Sequence, residues 1–577
     1  MSSIVQSAHA IVERNAPHVL EAGSIAAAAV KPYLEAFNDL CAGMEAWEVA
    51  ARTAAVVIVA GLLLSRLRSL MTNMIDDGGF LPAIFKTIRS IPFVSRRLQQ
   101  EKAKVRGDLL QGRSHLIPPL TELPLKGTEP KALLQQITQK SQGDTQIKHG
   151  SSQISGAVYI GSANHRKMLD QVYSMFAVSN PLHASVFPSV RQMEAEVVAM
   201  TGRMLGGGGE ANPDVCGAMT SGGSESILLA MKAARDWARN KRGVRRPELI
   251  IARSAHAAYY KAAEYFKMRL ITLPVDKDWR LSGEAVKKAL TSNTAAVVAS
   301  APGFPHGVVD HIEDIAKVCR RKGVWLHVDA CLGGFVLPFA RKLGRQIPPF
   351  DFSVPGVTSM SADTHKFGLA DKGTSVVLYA SPEHRMLQYT SITDWSGGLY
   401  ISPTMAGSRP GALIATAWAS MVRMGEEGYL ESTRRLMAAV DRFKEGVNTI
   451  PELEVMGSPE MSVVAIQARD SAKLNVYKLN DLMEKAGWHW NALQSPPALH
   501  FCFTPNHVGD GSSNGKQQTD VVQQLLEALR AGVATLMANP DAVQGGSAPM
   551  YGMANVVPDR GMIGEFLVAY QDVMLLP

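Results

Sequence analysis

The chain has 577 residues, a hydrophobic fraction of 46% and a charged fraction of 19%, an ordinary globular composition that argues against disorder and favours more than one domain. The five cysteines are scattered without a CxxC pair, which excludes a metal site or disulfide framework of the usual spacing and favours a reducing compartment. The net charge is +7, and the segment from Arg52 to Arg106 carries ten basic and three acidic residues, so the rest of the chain is close to neutral. We expect no nucleic-acid partner, because so local an excess is better explained by anionic lipid.

The first predicted element is a transmembrane helix over residues 46–65, after an N-terminal segment of residues 1–45 that lacks a signal-peptide pattern. The uncharged run from Thr53 to Leu64 is short for a span, but counting from Ala46 reaches the required length of about 20 residues. Trp47 has the position of an interfacial aromatic residue, and the basic cluster follows on one side only. The prediction places everything after the span in the cytosol. The alternative is a buried or interfacial helix.

A basic juxtamembrane and linker region is predicted over residues 66–155, with a Pro-rich connection at 118–130 and a helix near Lys131–Lys140. Beyond it, short apolar strands alternate with helices, which predicts crossover connections and a largely parallel sheet. The predicted strands are Glu248–Ala252, Arg269–Pro274, Ala295–Ser300, Trp325–Asp329 and Thr374–Tyr379. We therefore predict an α/β fold with a large domain over residues 156–425. Helices at Thr416–Met424 and Thr433–Asn448 precede shorter α+β material, which predicts a smaller C-terminal domain over residues 426–577.

Two motifs in the α/β region have the chemistry of ligand binding. Thr220-Ser-Gly-Gly-Ser224 lies between an apolar run and a helix, where two glycines, flanking hydroxyls and the free N–H groups of the helix form a phosphate cradle. Its alternative interpretation is a plain strand-turn-helix cap. Asp329 ends the strand in Leu326-His-Val-Asp, where a carboxylate can keep a pyridinium nitrogen protonated. Its alternative role is to cap the next turn.

Two further residues complete the pattern. His256 follows the strand Glu248–Ala252 and has a position from which an imidazole can stack on a flat ring, although such a histidine is more often structural. Lys366 lies in Ser359-Met-Ser-Ala-Asp-Thr-His-Lys-Phe-Gly368, directly before a strand. A partly desolvated lysine has a lowered pKa and becomes a nucleophile that can bond to the aldehyde of pyridoxal phosphate (PLP). The alternative is a lysine that reaches from a strand end into solvent.

The order of these elements strengthens the interpretation of each. A phosphate loop, a strand-end His, a strand-end Asp and a lysine 37 residues after that Asp occur in one α/β region. This is the layout of fold-type-I PLP enzymes, so the sequence predicts PLP as the cofactor.

Several longer segments closely resemble the sphingosine-1-phosphate lyase family, which belongs to the group II PLP-dependent decarboxylases of fold type I. The resemblance covers most of the chain and is carried by His327–Phe335, Ser361–Gly368, Ser402–Gly411, Ser179–His183, Thr220–Ser226 and Met550–Ala554. The chain departs from the family at Ser224, where Thr is frequent, at Phe367 and Leu369, where Tyr is usual, and at Asp371, where Pro is usual. We expect Asp371 to weaken the attraction of the adjacent Lys372 for a phosphate.

The resemblance implies a role for each matching residue. Lys366 would bind PLP covalently, Asp329 would hold its ring nitrogen protonated and His256 would stack on the ring, and these three are the expected catalytic residues. The cofactor phosphate would be bound by Ser221, Gly222, Gly223, Ser224, His365 and, from the partner subunit of a homodimer with shared active sites, Ser408. The substrate phosphate would be bound by Tyr159, His183 and Lys372, with Asn180 beside them.

The implied reaction is cleavage of a phosphorylated sphingoid base to a long-chain aldehyde and phosphoethanolamine. The implied location is the endoplasmic reticulum membrane, with a single span and the catalytic domain facing the cytosol. One alternative is an amino-acid decarboxylase of the same fold, which needs a site for an α-carboxylate and no remote phosphate site. A second is a membrane-tethered scaffold without chemistry, which the intact Lys366 and Asp329 disfavour.

Overall fold

The computed structural model describes residues 91–111, 119–144, 152–159, 161–509, 520–543 and 560–576, with scattered residues between 42 and 89. The chain divides into two compact units, one of residues 1–141 with 557–577 and one of residues 142–556. The predicted span over residues 46–65 lies largely outside the described residues. Among the residues that are described, no helix combines the length and the apolar character needed to cross a bilayer.

The larger unit is built on a seven-stranded sheet with the strand order β1-β7-β6-β5-β4-β2-β3. Neighbouring strands from β3 to β6 pair in parallel, and β7 pairs antiparallel with both β6 and β1. The strands are β1 (Cys216–Thr220), β2 (Glu248–Ala252), β3 (Arg269–Leu273), β4 (Thr294–Ser300), β5 (Trp325–Asp329), β6 (Ser359–Ala362) and β7 (Ser375–Tyr379). The predicted, mostly parallel α/β sheet is thus confirmed, and each of the five predicted strands is present with bounds within one residue.

Helices cover the sheet, as parallel strands require. Every residue of β2, β4 and β5 is buried, and apolar side chains from the helices and strands form a continuous core. The helices around this sheet are α3 (Ala163–Phe176), α4 (Pro188–Met204), α5 (Gly223–Arg242), α6 (Ala258–Tyr265), α7 (Gly283–Ala289), α8 (Ile312–Lys322), α9 (Leu337–Lys342) and α10 (Pro382–Met386). After β7 a two-stranded hairpin consists of β8 (Thr390–Ile392) and β9 (Tyr400–Ser402).

One long helix, α11 (Gly411–Asn448), leads to the C-terminal part of the larger unit. The two helices predicted at Thr416–Met424 and Thr433–Asn448 lie within this one run, which Gly425 interrupts with φ 57° and ψ −177°. A four-stranded antiparallel sheet follows, in the order β10-β11-β13-β12. Its strands are β10 (Leu453–Val455), β11 (Val463–Ala468), β12 (Asn491–Leu493) and β13 (Ala498–Cys502), and the accompanying helices are α12 (Val476–Lys485), α13 (Pro505–Val508) and α14 (Val521–Ala538).

The helices of the smaller unit that the structure describes with both ends are α1 (Pro92–Gln111), α2 (Pro130–Lys140) and α15 (Arg560–Met574). Helix α15, near the C-terminus, packs on α1. Glu565 of α15 forms ion pairs with Arg89 at 3.2 Å and with Lys102 of α1 at 2.6 Å. Residues near the two ends of the sequence thus form one unit.

Candidate active site

A cavity of about 340 Å³ opens where β1, β2, β4, β5 and β6 end. In an open α/β sheet this edge is the usual place for a ligand. The structure brings together here eight of the nine predicted cofactor-binding residues. They are Ser221, Gly222, Gly223, Ser224, His256, Asp329, His365 and Lys366.

The turn between β1 and α5 forms one wall of the cavity. Gly222 has φ +152°, and no side chain caps the N-terminus of α5, so the first N–H groups of the helix are available to an anion. The backbone N–H of Ser221 is already used, because it donates to Glu225 Oε2 at 2.6 Å. A Cβ atom on Gly223 would lie 2.7 Å from Asp363 Oδ1. This close approach requires glycine, as expected where the backbone must reach a ligand.

Asp329 and His256, the two residues predicted to contact the cofactor ring, lie at or shortly after the end of a sheet strand. Asp329 ends β5, is 8% exposed and accepts a hydrogen bond from the backbone N–H of Cys331 at 3.1 Å. Its carboxylate is therefore held in one orientation at the cavity. His256 Nδ1 accepts a hydrogen bond from the N–H of Ala258 at 3.1 Å, which fixes the imidazole at the start of α6. The edge of Phe304 faces it, with ring centres 6.3 Å apart.

Lys366 forms an ion pair that the sequence analysis did not predict. Its Nζ lies 2.8 Å from Oδ2 of Asp363, which is almost fully buried. Burial alone would lower the pKa of Lys366, but the Asp363 carboxylate raises it well above its ordinary value. Burial likewise acts to raise the pKa of Asp363, but Lys366 outweighs it and lowers this pKa. The lowered lysine pKa expected from the sequence is therefore wrong, because the counter-charge lies three residues away in the same motif.

His365 is oriented by the strand that follows it. Its Nδ1 accepts a hydrogen bond from the N–H of Thr374 at 3.3 Å, and its Nε2 lies 3.6 Å from Asp363 Oδ2. Burial lowers the pKa of His365, so the imidazole is neutral at neutral pH. A Cβ atom on Gly222 would lie 3.5 Å from His365 Cε1, which places the imidazole against the phosphate cradle.

Lys372 and Tyr159, both predicted to bind the substrate phosphate, lie together. The Lys372 ammonium is 4.8 Å from the centre of the Tyr159 ring, a cation–π contact, and 3.5 Å from the carbonyl oxygen of His365. Partial burial and then the nearby Lys366 ammonium lower the pKa of Lys372 to about 8. The hydroxyl of Tyr159 is buried and lies 3.9 Å from Sγ of Cys502, a contact that the sequence did not indicate.

Asn180, His183 and Ser408 form a separate, more exposed group. Asn180 Nδ2 donates to Ser408 Oγ at 3.0 Å, and Asn180 Oδ1 accepts from the N–H of Arg409 at 3.2 Å. His183 is exposed, and its backbone N–H donates to the carbonyl of Asn180. None of the three lines the cavity that contains Lys366.

The cavity fits PLP by its own chemistry. It offers an uncapped helix N-terminus with close backbone approach at Gly222 and Gly223 for a phosphate, a buried carboxylate at Asp329 for a ring nitrogen, and an amine at Lys366 for an aldehyde. Besides these predicted groups, sequence reasoning missed several lining residues, among them Glu225, Ser300, Phe304, Cys331 and Asp363. Asp363 alone had a sequence signal, since a carboxylate three residues before a buried lysine is its nearest possible counter-charge.

Comparisons with known proteins agree with this fit. The family model described as the pyridoxal-dependent decarboxylase conserved domain matches residues 121–469. The fold and the site thus define a PLP-dependent enzyme of the decarboxylase fold.

Individual relatives narrow this class. The chain is 49% identical over 499 residues to a sphingosine-1-phosphate lyase of Arabidopsis thaliana, covering 86% of this chain and 88% of the relative. It is 39% identical over 542 residues to sphingosine-1-phosphate lyase 1 of Rattus norvegicus, covering 93% and 91%. The solved structure of a Burkholderia pseudomallei sphingosine-1-phosphate lyase matches with a TM-score of 0.69 and 37% identity, covering 74% of this chain and 96% of that one. The chain belongs to the sphingosine-1-phosphate lyase family.

Proposed function

We propose that the cavity cleaves phosphorylated sphingoid bases, sphingosine 1-phosphate and sphinganine 1-phosphate, to a long-chain aldehyde and phosphoethanolamine. The observation that carries the proposal is the Lys372 ammonium, held over the Tyr159 ring six residues after Lys366. It supplies a cation for a phosphate at a distance from the reacting amine. The relatives named sphingosine-1-phosphate lyase at 39–49% identity support the same substrate.

We assign the residues that line the cavity the following roles, which their positions support. Ser221, Gly222, Gly223 and Ser224 bind the PLP phosphate through the start of α5, with His365 against them. Lys366 would bind the cofactor aldehyde, His256 would pack on the ring and Asp329 would keep the ring nitrogen protonated. When bound, PLP supplies the electron sink that accepts the negative charge developing as the substrate C2–C3 bond breaks.

The remaining work falls to side chains of the protein. Asp363 holds the Lys366 amine as an ammonium whenever it is released, which keeps a proton at Nζ close to the reacting carbon. Lys372, with Tyr159, would bind the substrate phosphate and so orient the substrate in the site. Phe304 and Leu332 provide an apolar part of the cavity wall.

We infer that the assembly is a homodimer, with Ser408 reaching the site of the partner subunit together with Asn180 and His183. The support is an exposed apolar surface on the β8–β9 hairpin, which leads directly to Ser408. There Trp395 is 56% exposed, Leu399 85% and Ile401 64%. A second copy of the chain would cover side chains that a monomer leaves in water.

We also propose attachment to the endoplasmic reticulum membrane through a single span over residues 46–65, with the chain after the span in the cytosol. The support is the set of basic and apolar side chains that the helix pair α1–α15 exposes. The exposed residues of α1 include Arg96, Arg97 and Lys104, and those of α15 and the residue after it include Leu567, Val568, Met574 and Leu575. Such a combination of basic and apolar side chains suits the interface of an anionic membrane.

Product identification tests the proposed reaction. Purified holoenzyme is incubated with sphinganine 1-phosphate, and the products are identified by mass spectrometry, with Lys366→Ala as control. The proposal expects a long-chain aldehyde and phosphoethanolamine with the wild type only. Carbon dioxide release from amino acids, with no aldehyde from the lipid, would instead establish the decarboxylase alternative.

A further inference from the structure

The loop between Lys366 and Lys372 is fixed on its outer side by the surrounding helices. The hydroxyls of Ser420 and Tyr429 both donate to the carbonyl oxygen of Gly368, at 2.7 and 3.1 Å. The Nε2 atom of buried His165 lies 3.2 Å from the carbonyl oxygen of Leu369, which has φ +58°. A non-glycine residue held at positive φ is strained, and such strain persists where surrounding contacts impose it. The path of the backbone toward Lys372 is therefore set by contacts outside the cavity.

Asp371, the residue before Lys372, is held by its own contacts. Its carboxylate forms an ion pair with Arg166 of α3, and its carbonyl oxygen accepts a hydrogen bond from Thr374 Oγ1 at 2.9 Å. The Asp371 side chain is 14% exposed, whereas Arg166 is 41% exposed and also pairs with Asp170. Arg166 is thus the cation that neutralises a largely buried carboxylate at the end of the loop.

This pairing changes the expected effect of Asp371 on Lys372. From the sequence alone, Asp371 was expected to draw the neighbouring ammonium away from a phosphate. Among the described residues, however, the partner of Asp371 is Arg166, and no ion pair joins Asp371 to Lys372. The Lys372 ammonium lies instead over the Tyr159 ring, next to the His365 carbonyl. Without Arg166, a largely buried carboxylate would lack its counter-charge. The ammonium of Lys372, the next residue along the chain, has no carboxylate partner among the described residues and would then be a cation for it to attract.

We propose that Arg166 is a positioning residue that occupies the Asp371 carboxylate and so leaves Lys372 unpaired for the substrate phosphate. The inference deepens the proposed function and rests on it, since Lys372 must be the group that binds phosphate. It assigns a role in substrate affinity to a residue on α3 that does not line the catalytic cavity.

The test compares two single variants with their combination. Arg166→Met removes the charge and leaves the Asp371 carboxylate free to pair with Lys372. The KM for sphinganine 1-phosphate is expected to rise about tenfold, as for loss of one charge-assisted contact, with kcat within about twofold. In Arg166→Met/Asp371→Asn the competing carboxylate is gone, so KM is expected to return to within about threefold of wild type. Asp371→Asn alone is not expected to raise KM.

Matched controls exclude a structural explanation. Asp170→Asn removes the other, exposed partner of Arg166 and is expected to leave KM unchanged. Arg166→Lys keeps a positive charge near Asp371 and is expected to retain most of the affinity. If Arg166 only braced the loop, the double variant would be at least as impaired as Arg166→Met, and this result would overturn the inference.

A binding measurement separates this inference from the proposed reaction. Phosphoethanolamine is titrated into wild-type, Lys372→Ala and Arg166→Met holoenzyme by calorimetry. Weaker binding in both variants supports the inference, whatever products the enzyme forms. Weaker binding in Lys372→Ala alone overturns the inference and leaves Lys372 as the phosphate ligand. Unchanged binding in Lys372→Ala would show that Lys372 does not bind the phosphate, and both the inference and the proposed function then fail.

Discussion

The Lys366–Asp363 ion pair is the residue-scale feature that most changes the chemistry expected from the sequence. A buried lysine alone would lose its proton readily, whereas the Asp363 carboxylate at 2.8 Å stabilises the ammonium. The amine is therefore stored in its charged form, and it must transfer a proton before it can bond to an aldehyde. In the proposed role of Lys366, this ammonium would be a proton donor for the cofactor aldehyde.

Removing one partner of this pair should destabilise the cofactor-free protein. Asp363→Asn leaves the Lys366 ammonium without its counter-charge, and the free energy of unfolding is expected to fall by about 3 kcal/mol, as for other broken buried pairs. Urea unfolding of the two apoproteins measures the difference. The exposed pair partner Asp170 provides a control, because Asp170→Asn should cost less than about 0.5 kcal/mol.

The difference in unfolding free energy between wild type and Asp363→Asn should depend on pH in a definite direction. The folded pKa of Asp363 is lowered, so its contribution is present above its unfolded pKa of about 4 and is lost as the pH falls through the folded value. The folded pKa of Lys366 is raised, so its contribution is full below about pH 10 and is lost only above that. The stability difference should be constant from about pH 5 to pH 9 and should shrink in acid. A difference that shrinks near neutral pH would contradict the ionised pair.

Lys372 gives a second residue-scale prediction, in the pH dependence of substrate capture. Its pKa is lowered to about 8, so the free enzyme loses this positive charge as the pH rises through that value. The kcat/KM for a phosphorylated sphingoid base should therefore fall above about pH 8. In Lys372→Arg the guanidinium stays charged, and the fall should move to a higher pH. An identical profile in the two enzymes would assign the fall to another group.

At the scale of elements, the sequence predicts those strands and helices whose ends are determined by the local order of apolar, polar and glycine residues. The strands at Glu248–Ala252 and Trp325–Asp329 have the predicted bounds, because a fully buried parallel strand is a short apolar run with a polar end. The two helices predicted at Thr416–Met424 and Thr433–Asn448 have a local cause as well, since Gly425 takes a positive φ that is not helical and interrupts α11 directly after Met424.

Contacts between distant segments could not be predicted in this way. The Arg166–Asp371 pair joins residues 205 positions apart, and the Tyr159–Cys502 contact joins residues 343 apart. No periodicity or motif encodes such distances. The cradle and Asp329 could be predicted from the sequence because each lies at the end of an apolar strand, and Lys366 because its motif precedes one. Asp363 was within reach of the same argument but was missed.

Helix α5 provides the element-scale prediction. A Cβ atom on Gly223 would lie 2.7 Å from Asp363 Oδ1 and 3.0 Å from Cys331 Sγ, so Gly223→Ala must displace the buried Asp363 carboxylate or the start of the helix. The affinity for PLP is expected to fall about tenfold or more, measured by titrating apoprotein with PLP and following its absorbance. Gly209→Ala is the matched control, because its Cβ would meet nothing within 4 Å. Equal affinity of the two variants for PLP would show that the cradle accommodates a methyl group at position 223, contrary to the structure.

At the scale of the whole molecule, the cavity of one chain holds Lys366 but not Ser408. The β8–β9 hairpin exposes apolar side chains, of which Leu399 is 85% exposed, and Ser408 follows it on the surface beside Asn180. Both facts are explained if each active site combines Lys366 of one chain with Ser408 of its partner. The alternative is that one chain contains a complete site and the hairpin serves another contact.

Mixed dimers separate these arrangements. Lys366→Ala removes the amine, and Ser408→Asp places a negative charge where a cofactor phosphate is expected, so each variant alone should be nearly inactive. If sites are shared, a mixed dimer keeps one intact site, built from the Lys366 of one variant and the Ser408 of the other. Random reassociation of equal amounts should then restore about one quarter of wild-type activity. If both residues serve the site of their own chain, no mixture contains an intact site, and activity should stay at the level of the separate variants.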